Sequence, residues 1–197
     1  MDIRTVALNA SADGLSPAPY VKDVLSHRFP ILPTKIGQNN SLFSPEMSRA
    51  LLHESLLYFL RSLSQIIGYE AAYKKSQFSW ALVTLYYANY FCVLSLNRLA
   101  GKAISTTQKN SYEVTSNPIQ SDFLVEKVSV NNHQSIWKTN YELYSQFNWH
   151  DNSYDGIIVR VSPANRDHYE RKNREFVNYH PDSYKELFLS NSKRKNI

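Results

Sequence analysis

Apolar positions recur at helical spacing through much of this chain, and the first sustained run opens at Ser44-Pro45-Glu46. A capping hydroxyl followed by proline starts a helix well, because the missing proline N–H costs nothing at the first helical position. The pattern carries to about Ile67, with Gly68 as its stop signal. Leu52, Leu56, Phe59, Leu60, Leu63, Ile66 and Ile67 follow the i, i+4, i+7, i+8 rule and make one broad stripe, expected to face the core. A second helix is expected from about Gln77 to Ala100, stopped by Gly101 and carrying Phe78, Ala81, Leu82, Leu85, Ala88, Cys92, Leu96 and Leu99. It is apolar around most of its circumference, so it should lie centrally.

From Lys102 to Asp122 the chain turns polar, rich in Ser, Thr and Asn with Pro118 as a breaker, which reads as a long loop or insertion. Phe123 to Val130 and Gly156 to Val161 have short β-like patterns that could pair as a hairpin-like element. Between them His133 to Phe147 can form an amphipathic helix on Ile136, Leu143 and Phe147, with Trp137, Tyr141 and Tyr144 adjacent. Those aromatics suit packing against the central helix, or stacking on unpaired bases. Before Ser44 there is no sustained periodicity, and Pro17, Pro19, Pro30 and Pro33 interrupt it, so an extended arm is expected with at most a helical turn near Tyr20 to Leu25.

The C-terminal stretch is organised differently. Ser162-Pro163 is a helix start and Pro181 pushes His180 out of the α region, while Ser183 with Glu186 has capping-box spacing and opens a last short helix. From Arg160 to the end there are nine Lys or Arg against five Asp or Glu, most of the net charge of +5. A local positive field of this kind suits a polyanion bound through its phosphates.

With 197 residues, 43% hydrophobic and 13% aromatic, the chain is long enough for one substantial core. No apolar run reaches about 18 residues without polar interruption. The N-terminus lacks a long apolar segment, so a cytoplasmic protein without a membrane span is expected. The single cysteine, Cys92, sits in an apolar helical pattern and reads as a buried structural thiol. His53 and Glu54, and His150 with Asp151, lack partners at metal-ligand spacing, and no phosphate loop, zinc cluster or nucleophile elbow is present. No cofactor or metal is therefore expected.

Within residues 162–181, Arg174-Glu175-Phe176-Val177-Asn178-Tyr179-His180 places an arginine and a histidine with five residues between them. That spacing resembles the R-x4-6-H signature of HEPN-domain ribonucleases, small helical proteins of prokaryotic toxin, phage-defence and CRISPR-associated systems. The run Tyr86, Tyr87, Ala88, Tyr90 and Phe91, ended by Leu99-Ala100-Gly101, is similar to the central aromatic helix of that family. Catalytic members usually carry Asn, Asp or His after the arginine, where this chain has Glu175.

The resemblance implies an all-α fold, a HEPN-like antiparallel helical bundle over residues 45–190. It would follow an arm at 1–44, carry a polar insertion at about 102–161 with room for a short β element, and precede a basic tail at 191–197. It also implies a metal-independent endoribonuclease of toxin or phage-defence type, with Arg174 and His180 catalytic. Arg171, Asn173, Asn178 and Tyr179 would bind substrate.

On one straight helix, six residues turn through about 600° and leave Arg174 and His180 roughly 120° apart. A shared site therefore needs an opened helix end or a second copy, and a homodimer would supply the latter. The competing expectation is a non-catalytic HEPN-like module that binds a partner protein, such as a nucleotidyltransferase antitoxin or a defence-complex subunit. A carboxylate at Glu175 would favour it by pairing with Arg174.

Overall fold

The computed structural model describes residues 19–28, 32–107, 110–117, 122–129 and 132–144. Their elements, in chain order, are α1 (Val21–Arg28), β1 (Asn39–Leu42), α2 (Pro45–Lys74), α3 (Phe78–Leu99), β2 (Lys102–Thr107), β3 (Asn110–Asn117), β4 (Asp122–Val128) and α4 (Asn132–Tyr144). The protein is therefore mixed α and β, and the expected all-α bundle is wrong. A four-stranded antiparallel sheet in the order β1-β4-β3-β2 overturns it.

The helices begin and end where side chains or turns satisfy their free backbone groups. Ser44 accepts the Met47 N–H at both its carbonyl, at 3.1 Å, and its hydroxyl, at 3.3 Å, and so starts α2 as a cap before Pro45. Gly68 does not stop α2. Glycine is tolerated inside a helix at a cost of about 1 kcal/mol, and a Cβ at Gly68 would sit 3.2 Å from the Thr84 methyl. The residue thus serves close approach to α3. Gly101 does terminate α3, with φ of 80°. Its N–H bonds the Arg98 carbonyl at 2.9 Å and its carbonyl accepts the Ser116 N–H at 2.8 Å, so the chain turns from helix into sheet within one residue.

The described residues fall into two compact units. The first contains α1, the sheet, α4, α2 up to Phe59 and α3 from Val93. Its core joins Val21, Val24 and Leu25 of α1 and Met47, Ala50 and Leu51 of α2 to one face of the sheet. That face is a ladder in register, with Ala103 opposite Val114 and Val114 opposite Val125, flanked by Tyr112 and Phe123. The other face is mostly polar, with Ile104 and Leu124 among its apolar exceptions, and carries a Lys102–Glu113 ion pair at 3.5 Å. Within the expected arm, Val21–Arg28 is helical and buries its apolar side, and Asn39–Leu42 pairs with β4.

The polar stretch after Gly101 forms β2 and β3 because only alternate positions need to be apolar when one face is wet. Asp122–Val128 is a strand, and it pairs with β3 and β1. Residues 156–161, expected as its partner, lie outside the described residues. α4 forms where amphipathic spacing places it, and Trp137 is 1% exposed, which makes it a packing residue.

The second unit is the helical hairpin from Leu60 to Cys92. Ser62 donates to the Ala88 carbonyl at 2.8 Å, and Tyr86, Tyr87, Tyr90 and Phe91 pack ring to ring along α3. Arg61 lies over the Phe91 ring at 5.8 Å. The α2 stripe differs from expectation. Leu56 and Phe59 in the first unit and Leu60, Leu63, Ile66 and Ile67 in the second are exposed, while Ser55 and Ser62 are buried against the α3 backbone. Small residues let the two helices approach, so the larger side chains take the outer face.

α3 is also long and apolar enough to cross a membrane by length and composition, with a mean hydropathy of 1.2 over its most apolar window. Its Ser95, Asn97 and Arg98 are buried and hydrogen-bonded inside the first unit, and 39% of its apolar window is buried.

Gly101→Ala is expected to destabilise the protein, because the left-handed φ disfavours any side chain and a Cβ would collide with the Ser116 side chain. A loss of about 1–3 kcal/mol in urea unfolding is expected, and unchanged stability would show that the turn tolerates a side chain.

Candidate functional site

The expected site residues Arg171, Asn173, Arg174, Asn178, Tyr179 and His180 lie outside the described residues, as do Glu175, His150 and Asp151. Chemistry-bearing groups do converge elsewhere, around Glu54 in the first unit.

Glu54 and Arg98 are 7% and 5% exposed and face each other from α2 and α3, with Arg98 Nε donating to Glu54 Oε2 at 2.6 Å. The other carboxylate oxygen, Oε1, accepts the backbone N–H of Val21 at 2.9 Å. That N–H is one of the free donors of the first turn of α1. The carbonyl of Tyr20, just before it, accepts from Asp23 and Val24 at 3.0 and 3.1 Å. A carboxylate at this end also meets the positive pole of the helix dipole. A second Arg98 donor bonds the Leu94 carbonyl at 3.3 Å, and the guanidinium lies 4.4 Å from the Tyr58 ring centroid. His53 supports the same junction, its Nδ1 lying 3.3 Å from the Pro19 carbonyl and its ring 5.2 Å from that of Tyr20.

This arrangement is a clasp, with its charges used up on one another. Next to it, Leu94, Asn97, Arg98, Ala103, Ile136 and Thr139 line a cavity of about 10 Å³, room for no more than one water. Asn97 bridges to α4 by donating to the Ile136 carbonyl at 3.0 Å and accepting from Asn140 at 3.1 Å. Among the described residues, no group of three His, Cys, Asp or Glu gathers closely enough to hold a metal. Cys92 is partly buried, and burial pushes its thiol pKa up, which suits a structural residue.

Sequence reasoning set His53 and Glu54 aside for want of partners at metal-ligand spacing and singled out neither Tyr58 nor Arg98. The available signal was an acid on the side of α2 away from the large apolar stripe, among small residues, and an arginine in the last turn of an apolar helix. Two such charges are buried without a severe penalty only together.

Comparison of the chain with protein-family models, with curated proteins and with solved structures finds no match.

Arg98→Ala would strand the Glu54 carboxylate in the interior, and a loss of roughly 3–5 kcal/mol in urea unfolding is expected. The double variant Glu54→Leu/Arg98→Met should recover much of it, leaving the Val21 N–H as the unmet donor at about 1–3 kcal/mol. Equal losses in both variants would mean that the pair is no clasp. Alkylation of Cys92 by iodoacetamide at neutral pH should run slower in the folded than in the urea-unfolded protein, since a raised thiol pKa lowers the thiolate fraction. Equal rates would contradict its burial.

Proposed function

We propose that the protein is a metal-independent endoribonuclease of toxin or phage-defence type, acting in the cytoplasm. Its site would be composed of Arg174 and His180 from the two subunits of a homodimer. The observation that carries this reading is the placing of an arginine and a histidine, five residues between them, in a segment where cations outnumber acids nine to five. The support is chemical, and it no longer includes the all-helical bundle.

Cleavage of RNA needs no metal when the 2′-hydroxyl attacks the adjacent phosphate. The enzyme must then move protons and hold the extra charge on the phosphoryl oxygens. Histidine serves the first task near neutral pH, and the planar guanidinium of Arg174 serves the second. Arg171 would contribute a cation to the substrate backbone, and Asn173, Asn178 and Tyr179 hydrogen bonds.

A second reading has its own support: a non-catalytic module bound to a partner protein, such as an antitoxin or a defence-complex subunit. Glu175 beside Arg174 favours it, as do the exposed apolar residues of α2.

Purified full-length protein should cleave single-stranded RNA in EDTA, leave 2′,3′-cyclic phosphate ends and spare DNA. Arg174→Ala and His180→Ala should each lower the rate by a factor of about 100 or more with unchanged circular dichroism. Full activity in both variants, or none in the wild type across varied RNAs, would overturn the reading, and a stable hetero-complex without cleavage would establish the second.

A further inference from the structure

We draw no further inference here: the strongest candidate, the exposed apolar face that Leu60, Leu63, Ile66 and Ile67 form on α2 in the helical hairpin, is an unpartnered surface, and nothing in the structure shows what covers it.

Discussion

The first unit depends on a charge pair shut away from solvent. Glu54 and Arg98 are neutralised by each other, by the Val21 N–H and by the Leu94 carbonyl, with the Tyr58 ring beneath the guanidinium. A buried pair of this kind contributes little net stability compared with apolar residues of the same size, but it is costly to misplace. Its value is positional. It fixes the start of α1, the first third of α2 and the last turn of α3 against one another. Three residues after Arg98, Gly101 hands the chain to β2, so the level at which α3 stops sets the level at which the sheet starts. α1 then lies against β2 and closes the apolar face that Ala103, Val114 and Val125 line up across three strands.

What was legible in the sequence was local. Ser44-Pro45 named the start of α2, the apolar spacing named α3 and α4, and Gly101 named the end of α3, because each signal acts within one or two helical turns. β2 and β3 were not legible. Their inward positions include Ala103, Tyr112 and Val114, but the intervening Ser, Thr and Asn have loop composition, and the alternation shows only once the partner strands are known. Gly68 misled in the other direction, since a glycine that permits close approach to Thr84 has the same sequence signature as one that ends a helix.

Periodicity also reports that a helix has an apolar side without saying what covers it. The stripe from Leu56 to Ile67 was read correctly as a stripe and wrongly as core, because the contacts with α3 are made by Ser55 and Ser62. The clasp residues were invisible for a further reason. Residues 54 and 98 are 44 positions apart, and nothing local announces that two charges will neutralise each other. The Arg174 and His180 pairing is a local signal, legible as chemistry, while the bundle inferred around it was a guess about topology that the sheet corrects.

The strand order has a consequence for how the chain is made. β1, at one edge of the sheet, is joined to it only through β4, whose residues leave the ribosome some eighty positions later, as the pairing of Asn39 with Glu126 and Leu42 with Phe123 shows. Until then the Asn39–Leu42 segment has no neighbour to bond and α1 has no finished sheet to cover. Contacts this distant in sequence form late and slowly. β1 therefore cannot pair before β4 has been translated, while α1 has its contacts with α2 earlier and gains the sheet beneath it only then.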